Sequence, residues 1–252
     1  MIRRRFAPLL GCSLLAGCAS LRAPVPMTSR ADALPGGPAK CLFVFLPGMG
    51  DEAKTFFDER FVALTRERGL SVDLIAADAT LGYHTSGTFA ERLEADVLGP
   101  ARQKGYARTW LIGPSMGGFG SLFYASQRPG EVDGVLALAP YLGDRELIEE
   151  IEQAGGLERW SAPPAAPSDA HNFQQQLWRW LKGVAVEGLP GPVIWLGWGT
   201  EDRRLRDASQ VLAQALPPER VLRTSGGHDW GPWRALFVEF LDRSPEVREC
   251  AR

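Results

Sequence analysis

The chain has 252 residues, 45% of them apolar and 23% charged. That is room for one α/β domain with a substantial core, and neither a disordered nor a fibrous composition. A formal net charge of −2 gives no electrostatic footing for a nucleic-acid partner.

The first segment, "MIRRRFAPLLGCSLLAGCAS", places Arg3 to Arg5 ahead of a short apolar run that ends in small residues. This is the layout of a secretory signal, and the run is too short to span a bilayer. Its ending, "LAGC" at Leu15 to Cys18, resembles the bacterial lipobox, which implies a signal over residues 1–17 and acylation of Cys18. Ala19 is not the aspartate that such lipoproteins use for inner-membrane retention, so the expected location is the outer membrane, facing the periplasm. Residues 1–17 carry three arginines and no acids, and their removal takes the net charge from −2 to −5. Residues 18–40, rich in Pro and Gly, read as a flexible tether. In an oxidising compartment Cys41 and Cys250 could pair. No Cys/His cluster suggests a metal site.

From Cys41 onward, short apolar runs end in Gly, Pro, Ser or Asp: "CLFVFLPG", "SVDLIAAD", "TWLIGPS", "VDGVLALAP", "PVIWLGWG" and "RVLRTSGG". Runs apolar on both faces suit strands of a parallel sheet buried between helices. Amphipathic stretches alternate with them: "TFFDERFVALTRERG", "TFAERLEADVLGPARQKG", "MGGFGSLFYASQRPG", "RRLRDASQVLAQALPP" and "PWRALFVEFLDR". The alternation predicts a doubly wound α/β domain over 41–252, with a mostly parallel sheet of about six strands and helices on both faces. An aromatic insertion over roughly 144–190, before the penultimate strand, carries Trp160, Phe173, Trp178 and Trp180. It is long enough to act as a lid or pocket wall.

The chemistry centres on "LIGPSMGG", Leu111 to Gly118. A strand before it and a helix after it would put Ser115 on a sharp turn at the carboxyl end of the sheet, with Gly113 and Gly117 removing side chains that would clash. A serine hydroxyl needs a base within hydrogen-bond reach. Of three histidines, His84, His171 and His228, the last follows the final strand candidate and is the expected base. His84 belongs to an earlier strand-end loop and His171 to the insertion. Asp202, just past "WLGWG", is the expected orienting acid, with Glu201 and Asp144 as rivals. The chain order Ser115, Asp202, His228 is the nucleophile–acid–base order of α/β-hydrolases. The Met116 and Met49 amides are the expected oxyanion donors, in a loop where Gly48 and Gly50 let backbone approach substrate. Trp178 and Trp230 are the expected substrate-binding aromatics.

On these residues the chain from Cys41 to about Arg243 resembles an α/β-hydrolase. "GPSMGGFGSL" together with "GGHDWGPW" is similar to the esterase D-like branch. The resemblance implies a serine hydrolase of carboxylic esters or thioesters, working without metal or organic cofactor on a small-molecule ester. Two opening antiparallel strands common in that fold are expected to be missing. The same triad would also serve an acyltransferase or peptidase. A non-catalytic lipoprotein that kept the fold as a binding module stands as the reading from another class.

Overall fold

The computed structural model describes residues 21–162 and 172–250. The six expected strands form where the apolar runs lie: β2 (Cys41–Phe45), β3 (Val72–Ala77), β4 (Arg108–Pro114), β5 (Gly134–Leu138), β6 (Val193–Gly199) and β7 (Val221–Thr224). A seventh, β1 (Ser29–Asp32), precedes them, and the sheet order is β1-β3-β2-β4-β5-β6-β7. All neighbours are parallel except β1, which pairs antiparallel with β3 through Ser29↔Ala77 to Asp32↔Leu74.

The two faces of the sheet read out the period-2 alternation of its strands. Phe43 and Phe45 join Trp110, Ile112, Leu136 and Trp195 on one face. This face is covered by α1 (Ala53–Asp58), α2 (Phe61–Glu67) and, at the end of the chain, α10 (Trp230–Arg243) and α11 (Pro245–Cys250). Leu42 and Val44 join Leu111, Val135, Ala137 and Leu196 on the other. The helices packed there are α3 (Leu81–Thr85), α4 (Phe89–Leu93), α5 (Gly99–Arg102), α6 (Met116–Gln127), α7 (Arg145–Gln153), α8 (Asn172–Ala185) and α9 (Arg206–Ala213).

Two stretches expected as single helices are interrupted. Arg60, at φ +67°, separates α1 from α2. A π-helical turn at Glu94–Leu98 joins α4 to α5 just ahead of Pro100, whose nitrogen has no hydrogen to donate. Cys41 and Cys250 form a disulfide that ties the first parallel strand to the last helix, 209 residues later.

The expectation of a free tether over 18–40 fails for its described part. Met27 is buried, and Arg66 forms an ion pair with the Asp32 carboxylate while donating to the Asp32 and Val72 carbonyls. "SRAD" carries no apolar signal because β1 is an exposed edge strand. It is held by its ladder and by Arg66, and so gives the domain one of the opening antiparallel strands expected to be missing. In the insertion, Trp160 and Trp178 are buried, with their indole N–H groups donating to the Glu150 carboxylate (2.8 Å) and the Leu142 carbonyl (2.7 Å). Cys18 and His171 lie outside the described residues.

Candidate active site

Strand β4 runs into α6 through Ser115, the N-cap of the helix, whose backbone sits at φ +52° and ψ −116°. For a non-glycine residue this is strained, and neighbouring strands enforce it. Ser115 N–H donates to the Leu138 carbonyl of β5 (2.8 Å), and its own carbonyl accepts from the N–H groups of Phe119 (3.0 Å) and Tyr141 (3.1 Å). Gly117 makes the turn possible, because a Cβ there would fall 1.9 Å from the Leu46 carbonyl oxygen. The helix thus starts against the loop that leaves β2. Its first amides, Met116 among them, have no intrahelical partner.

Asp202 and His228 come from the loops after β6 and β7. These loops are tied by Thr200 N–H to the Thr224 carbonyl (2.8 Å) and Glu201 N–H to the Gly226 carbonyl (2.9 Å). The Asp202 carboxylate is fully buried. Its Oδ2 lies 2.7 Å from His228 Nδ1, and Oδ1 accepts from the N–H groups of Arg204 (2.9 Å) and Leu205 (3.1 Å). Burial alone would push this carboxyl up, but the His228 and backbone hydrogen bonds outweigh it and hold the group below the usual carboxylate range. The imidazole stands edge-on to Trp233, with centroids 5.0 Å apart. Among the described residues no hydrogen bond joins Ser115 Oγ to His228. A catalytic contact of this kind often closes only with substrate present.

The rival acids are engaged elsewhere. Glu201 accepts from Gly226 N–H (3.3 Å), and Asp144, at the N-cap position of α7, accepts from Tyr141 Oη (2.7 Å) and Gln174 Nε2 (3.0 Å).

The glycine loop reaches Ser115, since a Cβ on Gly48 would lie 3.7 Å from Ser115 Cβ. Gly50 turns the chain at φ +91°, and the Met49 side chain is 63% exposed. Asp51 closes the loop with its N–H on the Gly48 carbonyl (3.1 Å). Burial raises its carboxyl pKa, the Trp230 hydrogen bond opposes that, and the charge of Glu59 adds to it.

Beside Met116 opens a cavity of about 580 Å³, whose aromatic walls are Phe89, Phe119, Phe123, Tyr141 and Phe173, with His84 among them. Met116, Phe119 and Phe123 share one face of α6, so the cavity runs about 10 Å along the helix from Met116, the residue after Ser115. His84 stacks on Phe89 (4.2 Å between centroids), and burial lowers its pKa to about 4, which leaves it neutral at neutral pH.

One expectation is corrected: Trp178 is fully buried and cannot touch substrate. Trp230 is half-buried, packs edge-on against Phe56 and Phe61 and stands outside this cavity. The cavity walls are phenylalanines of α6 and α4 together with Phe173 of α8. The spacing of Phe119 and Phe123, four residues apart directly after Ser115, is the sequence signal that could have found them.

The fold defines the class as α/β-hydrolase. Residues 89–243, more than half of the chain, match the family described as "Putative esterase". The chain belongs to that family and is a carboxylic-ester hydrolase. Among solved structures it is similar to an S-formylglutathione hydrolase from Agrobacterium tumefaciens (14% identity, TM-score 0.58, 90% of each chain covered). A Staphylococcus aureus S-formylglutathione hydrolase gives 14% and 0.57, covering 86% of this chain and 82% of that one. A fluorophosphonate-binding serine hydrolase from the same bacterium gives 13% and 0.54, covering 90% and 99%. At these identities the likeness is one of fold. No curated protein matches the sequence.

Proposed function

We propose that the protein cleaves carboxylic esters, thioesters included, by a Ser115–His228–Asp202 triad. The observation that carries this reading is the 2.7 Å contact between the buried Asp202 carboxylate and His228 Nδ1, at the sheet edge where Ser115 follows β4. Asp202 fixes the imidazole with its proton on Nδ1, which leaves Nε2 free to take the Ser115 proton as Oγ attacks the acyl carbonyl. The tetrahedral oxyanion is held by the Met116 and Met49 amides. The imidazolium returns the proton to the leaving alcohol or thiol, an acyl-Ser115 forms, and water activated by His228 releases the acid. The cavity walled by Phe89, Phe119 and Phe123 receives the acyl group. Fluorophosphonate labelling of wild type and Ser115→Ala tests this, with p-nitrophenyl esters of increasing chain length run alongside. Labelling and turnover lost in the variant are the expected result. A folded wild type that takes no label would overturn the reading in favour of a non-catalytic module.

The mature protein starts at an acylated Cys18 and resides in the outer membrane, facing the periplasm. The lipobox "LAGC" supports this, and so does the Cys41–Cys250 disulfide, a bond of oxidising compartments. Among the described residues no helix is long and apolar enough to cross a membrane. Mass spectrometry of the mature N-terminus tests it, and any start other than acylated Cys18 removes the anchor.

A further inference from the structure

The chain that follows the proposed anchor is laid against the segment that follows β3, just ahead of residues 84–87 of the cavity lining. The Arg22 carbonyl accepts from Thr80 Oγ1 (2.8 Å), and the Pro24 carbonyl accepts from Tyr83 Oη (2.6 Å). Met27 N–H donates to the Asp96 carboxylate (2.7 Å), and the Thr28 carbonyl accepts from Asp78 N–H (2.8 Å). The approach at Gly82 is so close that a Cβ there would fall 2.4 Å from the Arg22 carbonyl oxygen. All these partners lie after the carboxyl end of β3 or on the helices beyond it, which is the edge of the sheet that carries Ser115, Asp202 and His228. Residues 84–87, directly after Tyr83, form part of the cavity lining beside Met116. Cys18 is three residues before Leu21, and three extended residues span at most about 11 Å.

A second observation marks the same edge. Among the described residues, four large apolar side chains are exposed: Leu21, Val25, Met49 and Leu189. Leu21 and Val25 sit on the docked leader and Met49 on the oxyanion loop. Leu189 precedes β6 and so lies at the opposite edge of the sheet. Apolar side chains left in water at a protein surface mark an interaction site when they gather on one side.

We propose that the anchored enzyme rests with the carboxyl edge of its sheet against the bilayer that holds Cys18, and that its pocket takes ester substrate from the membrane. The inference rests on the Ser115 and Cys18 readings above. A free tether would leave the domain to tumble. A docked leader instead fixes which face meets the lipid, and that face carries Ser115, residues 84–87 of the cavity lining and three of the four exposed apolar side chains. Substrate would then be a lipid-borne or membrane-partitioned ester whose acyl chain passes from bilayer to cavity without crossing water.

The test uses the full acylated protein in phosphatidylcholine vesicles. In the mature chain Cys18 is acylated and Cys41 is bonded to Cys250, so a cysteine introduced by Ser86→Cys or Leu189→Cys is the one free thiol for a fluorophore. Nitroxide-headgroup lipids should quench the label at position 86 at least threefold more than the label at 189. Equal quenching, or the reverse order, overturns the orientation. In the second measurement a twenty-residue Gly/Ser spacer is inserted between Ser20 and Leu21, which frees the domain to move roughly 25 Å from the surface. Hydrolysis of vesicle-held 4-methylumbelliferyl oleate should fall at least fivefold, while p-nitrophenyl acetate in the aqueous phase is cleaved within twofold of wild type. Unchanged oleate turnover overturns the delivery of substrate from the membrane. Failure of the underlying readings shows separately. A protein that does not float with vesicles has no anchor, and the proposal falls with it. One that floats but takes no fluorophosphonate has no active serine, and substrate delivery falls while the quenching still decides orientation.

Discussion

Asp202→Asn separates the orienting role of this carboxylate from its structural one. The side chain makes three hydrogen bonds: two backbone N–H groups on Oδ1 and the His228 ring on Oδ2. Asparagine has one oxygen and one NH₂. The Arg204 and Leu205 N–H groups are donors, so the oxygen must stay with them and the NH₂ must face Nδ1. That donor forces the imidazole into the tautomer protonated on Nε2, which cannot accept the Ser115 proton. A wrong tautomer of this kind costs on the order of 10⁴ in kcat, or about 5.5 kcal/mol of barrier. Stability is nearly spared, because every buried group keeps a partner: the expected loss is ~1 kcal/mol, or about 2–4 °C in Tm at this chain length. Asp202→Ala differs, since it strands two backbone donors and is expected to cost about 2–6 kcal/mol. The assay is steady-state hydrolysis of p-nitrophenyl butyrate beside thermal unfolding of both variants. KM should stay within about threefold in the asparagine variant, since ground-state binding does not involve the ring proton. A kcat within tenfold of wild type, with Tm preserved, would refute the argument and leave Asp202 as a turn-capping residue.

Three further predictions test the scaffold. Gly117→Ala should cost about 3 kcal/mol or more and abolish turnover, because its Cβ would sit 1.9 Å from the Leu46 oxygen; a soluble, active variant with near-wild-type Tm contradicts the close approach. Cys41→Ala opens a cross-link between positions 209 residues apart and should lower stability by about 2–5 kcal/mol, read as a fall in the denaturant midpoint that reductant reproduces in wild type. His84 gives a pH dependence with a defined sign. Its pKa falls from 6.5 in the unfolded chain to about 4 in the fold, so between those values the unfolded state binds the extra proton and stability is lost as pH drops. The loss is at most about 3 kcal/mol. His84→Phe should flatten the Tm profile between pH 6.5 and 4, and an unchanged slope would locate the titration elsewhere. Below pH 3.8 Asp202 adds a loss of the same sign, as its depressed carboxyl is protonated.

The sheet was legible because its parallel strands are buried on both faces. Strands such as β2, "CLFVF", and β5, "GVLAL", have every residue buried, and a sequence can meet that demand only with an unbroken apolar run. The Asp202–His228 pair was legible for a related reason. In a doubly wound sheet, consecutive strand ends converge on one edge, so order along the chain predicts proximity, and Asp202 and His228 meet although 26 residues apart. The pocket walls were harder to read. Tryptophan count drew attention to Trp178, yet a large ring in an insertion serves equally well as core, and an indole N–H that finds a carbonyl, as at Leu142, is satisfied there. Phe119 and Phe123 carry no such ambiguity once α6 is placed, since the face of that helix turned from the sheet must line whatever lies beside Ser115.

The N-terminal leader escapes a reading by composition because few of its side chains hold it. Between Arg22 and Thr28 its attachment runs largely through the main-chain carbonyls of Arg22, Pro24 and Thr28 and the main-chain amide of Met27, groups that leave no mark on the side-chain sequence. The specificity lies on the receiving side, in Thr80, Tyr83, Asp96 and the side-chain-free surface of Gly82. Composition assigns "SLRAPVPMTSRADALPGGPAK" to a linker because Pro and Gly are poor in helices and strands. Proline nevertheless keeps an acceptor, and its restricted φ lowers the entropy lost when an extended segment is pinned to a surface. A proline-rich segment beside a lipid anchor can therefore be a strut as readily as a tether. Donors that await its carbonyls on the body of the domain tell the two apart, and here those donors come just before residues 84–87 of the cavity lining.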